Sequence, residues 1–309
     1  MDTSSPPPAE APAETSAGVT ALWARLPGNL RGILLLSLGA FLFSVVDVFV
    51  KSLGGRFHPI EISFFRYACG LVFLMPLFIR MGRADLATTR LPLHLLRMGL
   101  AFAAQLGVFV TVIHMPLADA TAFMFSKPLF TTVVAVFVLS EVVSGRRWAA
   151  TIAGFVGVLV LVRPGAEAID PIALVAVASA LTFATANVLI RKLSSTEPTG
   201  RILFYYHVGG VLLFAGPAAY VWTMPVGIEW VQLIAIGGLT TIGIFCFMRA
   251  FAVGEANAVG PAENLRLIYA ALFGFLIFAE IPSVWTVVGA AIIVASTYYI
   301  ANTERGRKP

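Results

Sequence analysis

The stretch that decides the fold is residues 117–141, LADATAFMFSKPLFTTVVAVFVLSE. It is long enough to cross a bilayer, because about 20 apolar residues span the roughly 30 Å hydrocarbon core. Lys127 and Pro128 interrupt it near its middle. A lysine at that depth is costly and is expected to face protein or water, while Pro128 lacks an N–H and clashes with the carbonyl of Met124. The stretch therefore predicts a kinked or broken helix that lines a polar cavity.

A second stretch, residues 256–280, repeats this pattern as ANAVGPAENLRLIYAALFGFLIFAE. Both stretches carry Ala-Asp-Ala or Ala-Asn-Ala near the start, and both end in an apolar run and a glutamate. Lys127 and Arg266 occupy matching places in the two stretches. The match predicts that the two cations lie in equivalent structural positions.

The composition of the 309-residue chain is that of a membrane protein. Hydrophobic residues make up 59% of it and charged residues 12%, whereas a soluble domain is about 45–50% apolar and about 25% charged. Cys69 and Cys246 lie in apolar segments and are interpreted as small packing residues. The sequence has no Gly-rich phosphate loop and no metal-ligand spacing, so no cofactor and no metal is expected.

Apolar segments recur ten times along the chain, separated by clusters of Gly, Pro and charged residues. The sequence thus predicts an all-α integral membrane protein with ten transmembrane helices. The predicted spans are, in order, residues 31–52, 59–80, 93–113, 117–140, 147–163, 170–191, 201–222, 230–250, 256–279 and 284–302.

Lysine and arginine are distributed unevenly around these spans. Of the 21 such residues, fifteen fall on one predicted side, three lie within spans, and only Lys51, Arg56 and Arg163 fall on the other side. Loops rich in Lys and Arg face the cytoplasm, so both termini are expected to be cytoplasmic. The net charge of +5 follows from the same rule, and nucleic acid is not an expected partner.

The chain also repeats itself at an offset of about 140 residues. Residues 43–53 match residues 183–193, and residues 64–70 match residues 204–210. Each repeat holds five spans, an odd number, so the second copy enters the membrane in the opposite sense. Two inverted five-helix repeats are therefore predicted, an arrangement of many secondary transporters. The predicted boundaries are a disordered tail at 1–29, repeats at 30–164 and 168–302, and a short basic tail at 303–309.

Several short motifs occur in order along the first repeat: PIEISFFRY (59–67), LADATA (117–122), PLF (128–130), LSE (139–141) and GFVGVL (154–159). Their order, spacing and duplication resemble the EamA-type branch of the drug/metabolite transporter superfamily. The resemblance implies a ten-helix carrier of the bacterial inner membrane, with a cavity between its halves that opens alternately to each side. Members move amino acids, nucleosides, vitamins and other metabolites, often as exporters. Lys127 departs from the small or polar residue common at that position.

Lys127 and Arg266 are the first candidate site residues. With antiparallel helices 4 and 9, both cations are expected near the midplane, where they could hold a substrate carboxylate. The alternative is neutralisation by a protein acid, with Glu263 three residues before Arg266 on the same helix face. Glu263 and its neighbour Asn264 could also couple transport to protons, because a buried carboxylate titrates when substrate displaces its partner; a static ion pair is the alternative.

Three further residues are candidates for lining the cavity. Phe125 and Tyr269 lie close in sequence to the two cations and could stack on a flat substrate. Gln105 is a lone amide in an apolar span, so it either lines the cavity or hydrogen bonds between helices. A carboxylate clamp beside aromatic walls would suit an aromatic amino acid, a flavin or another heteroaromatic solute.

Two polar pairs near span ends are candidates for gating or coupling. Asp47 with Lys51, and Asn187 with Arg191, are related by the repeat and spaced i, i+4. Pairing within each helix and solvation of the helix ends is the plainer interpretation. Glu141, which closes the fourth span, is expected to meet the neighbouring Arg146 and Arg147.

The sequence favours a secondary transporter of small organic metabolites over an enzyme, because no nucleophile–base constellation is present. Amino acids or related carboxylated solutes, moved by export, are the first expectation for its substrate. The alternative is an uptake carrier for a vitamin, a nucleoside or a solute like S-adenosylmethionine. A membrane sensor or scaffold is the rival from another class, and solute flux would separate it from a carrier. Expected partners are a small molecule and the lipid bilayer, with the chain a monomer or a homodimer.

Overall fold

A computed structural model describes Trp23, residues 26–163 and residues 170–303. Within these residues ten helices are long and apolar enough to cross a membrane, which confirms the predicted class and number of spans. The expected tails lie largely outside the described residues. We number the spans α1 Gly28–Leu53, α2 Pro59–Arg80, α3 Leu91–His114, α4 Leu117–Leu139, α5 Gly145–Val162, α6 Pro171–Ser194, α7 Thr199–Tyr220, α8 Ile228–Val253, α9 Gly260–Phe278 and α10 Val284–Thr303.

The α4 span is broken, as the Lys127–Pro128 pair predicts. It consists of two helices, Leu117–Met124 and Lys127–Leu139. Between them the backbone tightens, since the N–H of Ser126 donates to the carbonyl of Phe123 at 3.0 Å. Pro128 lies in the first turn of the second helix, where its missing N–H leaves no intrahelical bond unmade.

The α9 span is irregular at the matching place. A short helix, Ala256–Val259, leads into a 3₁₀ helix, Gly260–Asn264, before the regular helix Leu265–Phe278 begins. Pro261 stands near the start of the 3₁₀ helix. Both irregular segments thus end directly before the helix that carries a cation, Lys127 in α4 and Arg266 in α9.

The helix contacts follow the two-repeat arrangement. In the inverted relation α1 corresponds to α6, α3 to α8 and α4 to α9. Accordingly α1 packs on α8 and α6 packs on α3, while α9 packs on α1 and α4 packs on α6. The repeat also relates α2 to α7 and α5 to α10. The two helices of each of these pairs pack directly on each other. The prediction of two inverted five-helix repeats is confirmed.

Two glycines allow α5 and α10 to approach closely. A Cβ at Gly157 would lie 2.9 Å from the carbonyl oxygen of Gly289, and a Cβ at Gly289 would lie 2.9 Å from that of Gly157. Small residues that bring backbones together are a common device of membrane helix pairs, because lipid provides no hydrophobic force between helices. The small-residue surfaces of these two spans therefore serve packing within the fold.

This close approach generates a stability prediction. Gly157→Ala is expected to destabilise the protein by about 1–3 kcal/mol, because the added methyl group meets backbone that cannot move aside easily. The measurement is the thermal unfolding midpoint in detergent. Gly99→Ala is the matched control, since a Cβ there meets nothing within 4 Å and alanine favours a helix. Equal midpoints for the two variants would contradict the predicted contact.

Candidate functional site

The two central cations each lie over an aromatic ring of a neighbouring helix. The Nζ atom of Lys127 is 4.9 Å from the ring centroid of Phe183 on α6. The guanidinium carbon of Arg266 is 5.4 Å from the ring centroid of Phe43 on α1. Phe43 and Phe183 are themselves related by the repeat offset of 140. One cation–π arrangement is therefore built twice, each time between a cation of one half and a ring of the other.

Arg266 is also held by an acid. Its Nη2 donates a hydrogen bond of 2.9 Å to Oδ2 of Asp47 on α1, and Asp47 is only 4% exposed. The sequence offered Glu263 as the acid that would neutralise Arg266 if neither bound substrate, but the structure pairs Arg266 with Asp47. Asp47 neutralises Arg266 because α1 packs along α9. Phe43 and Asp47 lie one turn apart on α1, and both contact the Arg266 side chain.

Lys127 has no such acid partner among the described residues. The residue that corresponds to Asp47 is the neutral Asn187. The side chain of Lys127 makes no hydrogen bond or ion pair with any described residue, although Arg266, Glu263 and Asp47 lie within electrostatic range of it. Two cations and two acids thus share one site, and only Arg266 and Asp47 contact each other. A cation left unpaired inside a membrane protein is costly and is a mark of a functional site.

Three amide side chains of the described spans have unused hydrogen-bonding capacity. Gln105 on α3 is 4% exposed, and its amide has no hydrogen-bond partner among the described residues. Asn264, beside Glu263, and Asn187 are partly buried, and their side chains likewise bond to no described residue. Three amides without protein partners are therefore available to a polar solute, and their role in binding stays a prediction.

The two predicted aromatic residues occupy different surroundings from the cations. Phe125 lies in the turn between the two helices of α4 and packs against the hydrophobic core. Tyr269 meets Phe41 edge to face, with 5.6 Å between ring centroids. The rings that contact the cations are Phe43 and Phe183, which were not predicted. The signal was present, because the repeat pairs these two phenylalanines one turn before Asp47 and Asn187.

Ion pairs join neighbouring helices at opposite ends of the bundle. At the end where α1 terminates, Lys51 pairs with Glu280 and donates to the carbonyl oxygen of Met115. The second carboxylate oxygen of Glu280 accepts the N–H of Leu117 at 2.9 Å. We call this contact the Lys51 pair. It ties together α1, the end of α9 and the start of α4.

At the other end, Nη2 of Arg191 lies 2.7 Å from Oε1 of Glu141. We call this contact the Arg191 pair, and the repeat relates it to the Lys51 pair. The Arg191 pair is the more exposed, with side-chain exposures of 55% and 29% against 12% and 19% for the Lys51 pair. The expected contacts within one helix, Asp47 with Lys51 and Asn187 with Arg191, are not formed. Each cation instead reaches the glutamate that closes the adjacent broken span.

A further buried cluster lies between α2, α3 and α7 and was not predicted. Arg66 donates to the hydroxyl oxygen of Tyr206 at 3.3 and 3.4 Å, and the Tyr67 hydroxyl donates to the same oxygen at 3.2 Å. The guanidinium carbon of Arg97 is 4.9 Å from the Tyr206 ring centroid. Glu61, near the start of the same helix, accepts the N–H of Thr223 at 3.1 Å.

Comparison with known proteins places this geometry in a family. The EamA-like transporter family matches residues 30–163 and again residues 170–302. A solved crystal structure superposes with a TM-score of 0.62 at 19% sequence identity, covering 89% of this chain and 98% of the other. At that identity the likeness shows the fold alone.

The similar proteins carry different solutes. An "S-adenosylmethionine uptake transporter" of Rickettsia bellii is 33% identical over 275 residues, covering 87% of this chain and 94% of the relative. A "Riboflavin transporter" of Vibrio cholerae is 29% identical, covering 89% and 94% of the two chains. The "Pseudopaline exporter CntI" of Pseudomonas aeruginosa is 28% identical, covering 89% and 97%.

These names describe transporters and no enzymes, in agreement with the sequence. Ten apolar helices and bacterial relatives make this a multi-pass protein of the bacterial inner membrane. The chain belongs to the EamA-like transporter family of the drug/metabolite transporter superfamily, and it transports a small molecule.

Proposed function

We propose that the protein carries S-adenosylmethionine, or a solute of the same chemical build, across the inner membrane by alternating access. The observation that carries the proposal is the unpaired ammonium of Lys127, which lies over the Phe183 ring. Glu263 lies within electrostatic range of it. Such a site is complementary to a zwitterion that carries an aromatic ring.

S-Adenosylmethionine matches each of these groups. Its carboxylate would pair with Lys127, and its ammonium or sulfonium would pair with Glu263. Its adenine is flat and could stack on an aromatic ring such as Phe183, and the amides of Gln105 and Asn264 could bond the edges of the purine. S-Adenosylmethionine carries one carboxylate and two cationic groups, so on binding it would give both Lys127 and Glu263 the partners that they lack.

The charged site distinguishes this solute from the others suggested by the relatives and by the sequence. Riboflavin has no carboxylate and no cation, so it would leave Lys127 and Glu263 unpaired in a desolvated site, which is unfavourable. The sequence preference for amino-acid export finds no support in the names of the relatives described above. An amino acid shares the head group of S-adenosylmethionine, and competition between the two solutes would reveal a broader specificity.

Uptake is the direction proposed, by analogy with the Rickettsia bellii relative. The excess of Lys and Arg on one side supports a cytoplasmic position for both termini. In that orientation the Lys51 pair lies on the outer side of the membrane and the Arg191 pair on the inner side. Proton coupling through Glu263 stays a prediction.

The Lys51 pair and the Arg191 pair are proposed to be the outer and inner gates. Each joins the last turn of a helix from one half to the glutamate that closes the broken span of the other half. Because the repeat relates the two pairs, rocking of the halves can break one pair while the other holds. Asp47 and Asn187, first considered with these gates, belong instead to the central site.

A binding experiment tests the proposed substrate. Purified protein is expected to bind S-adenosylmethionine more tightly than riboflavin in isothermal titration. Lys127→Ala should weaken the binding of S-adenosylmethionine by about tenfold or more, because a hydrogen bond to a charged group contributes about 1.5–3 kcal/mol. Lys192→Ala is the control, since Lys192 is exposed at the end of α6. Tighter binding of riboflavin, or unchanged affinity in Lys127→Ala, would contradict the proposal.

An accessibility experiment tests the outer gate. In a protein whose Cys69 and Cys246 are replaced by serine, a single cysteine at Gln105 reports access to the central site. Glu280→Gln is expected to speed labelling of this cysteine by a membrane-impermeant maleimide added from outside, because it removes the charge that holds Lys51. Labelling rates equal to those of the parent protein would refute the outer gate.

The inner gate provides the matched control for that experiment. Glu141→Gln should leave labelling from outside unchanged and should speed labelling from the inner side, measured in inverted membrane vesicles. Exchanging the charges, with Lys51→Glu and Glu280→Lys together, should restore the slow rate of the parent protein. Faster labelling from the same side in both glutamine variants would show that neither pair acts as a gate.

A further inference from the structure

We propose that Asn187 determines specificity for a carboxylate, because it leaves Lys127 without an acid of its own. This inference rests on the proposed function and names the residue that keeps its anion site vacant for the substrate. Asn187 is related by the repeat to Asp47, and asparagine and aspartate have nearly the same shape. The two halves of the site therefore differ at this pair of positions chiefly by a charge.

The contacts of Arg266 show what an aspartate does at this position. Asp47 lies one helical turn after Phe43, and Arg266 contacts both, at 2.9 Å to the carboxylate and 5.4 Å to the ring centroid. Asp47 is 4% exposed. A ligand anion that took Arg266 from it would leave a buried carboxylate uncompensated, which is strongly unfavourable. Arg266 is thus already neutralised and is a poor site for a second anion.

Lys127 has equivalent surroundings, but without the acid. Asn187 lies one helical turn after Phe183, and Lys127 lies over the Phe183 ring at 4.9 Å. By the repeat, Asn187 stands to Lys127 as Asp47 stands to Arg266. Lys127 forms no ion pair in the part of the chain that the structure describes. Its charge therefore remains available to a ligand carboxylate.

Glu263 does not neutralise Lys127 either. It lies within electrostatic range of Lys127, but neither residue is in an ion pair or a side-chain hydrogen bond with a described residue. The positions that correspond to Glu263 and Asn264 in the first half are Met124 and Phe125, which carry no charge. Glu263 is thus free to receive the cationic group of the same solute.

The experiment replaces Asn187 by aspartate and compares two ligands. S-Adenosylmethionine carries the carboxylate, and its decarboxylated form lacks only that group. Asn187→Asp is expected to weaken binding of S-adenosylmethionine at least tenfold while leaving binding of the decarboxylated form unchanged or tighter. Equal losses for both ligands, or no loss for S-adenosylmethionine, would overturn the inference.

A second measurement decides the pairing without any substrate. Asn187→Asp should raise the thermal unfolding midpoint in detergent, because the new carboxylate gives Lys127 a partner. In a Lys127→Met background the same substitution should lower the midpoint, because the new acid is then unpaired. The same shift in both backgrounds would show that positions 127 and 187 do not interact and would overturn the inference.

The two measurements separate this inference from the proposed function. If the wild-type protein binds neither form of the nucleoside, the proposed substrate is wrong, and the unfolding experiment still decides whether Asn187 keeps Lys127 unpaired. If the wild-type protein binds S-adenosylmethionine but the ligand comparison shows no selective loss, the substrate stands and the role of Asn187 falls.

Discussion

The contact between Arg266 and Asp47 is the interaction on which the centre of this protein depends. A charge inside the membrane must meet an opposite charge or a polar cavity. Here the guanidinium and the carboxylate meet at 2.9 Å across the interface of α9 and α1. The pair fixes the start of the regular helix of α9 against the C-terminal part of α1. Lys127, the equivalent cation of the other half, forms no such pair with a described acid.

The inverted repeat explains why charged contacts recur in related positions of the two halves. Duplication supplies each helix of one half with a counterpart that runs in the opposite direction, so one kind of contact recurs at both ends of the bundle. The Lys51 pair and the Arg191 pair are such counterparts, and the first is less exposed and adds backbone hydrogen bonds. The two halves are nevertheless unequal in sequence, as Asp47 and Asn187 show.

Periodicity, composition and the repeat predict the architecture well. They predict poorly which charged residues of different helices contact each other. Proline and lysine within one apolar span predict the break in α4, because both residues disturb a membrane helix for known local reasons. The choice of partner for each charge is a property of packing between helices. Sequence spacing showed Lys51 beside Asp47 and Glu263 beside Arg266, but the partners lie on helices more than 200 residues away. Local spacing contains no information on such distant neighbours.

The fold itself does not select the solute, since similar chains are named for S-adenosylmethionine, riboflavin and pseudopaline. The proposed function assigns this selection to the few side chains at the centre, because charged groups interact most strongly in a low-dielectric site. Asp47 and Asn187 hold equivalent places, yet one neutralises its cation and the other cannot. In the proposed site, this single acid-to-amide difference leaves one of two equivalent cations open to a ligand anion. Asparagine and aspartate have nearly the same shape, so such a difference in charge needs no change in backbone.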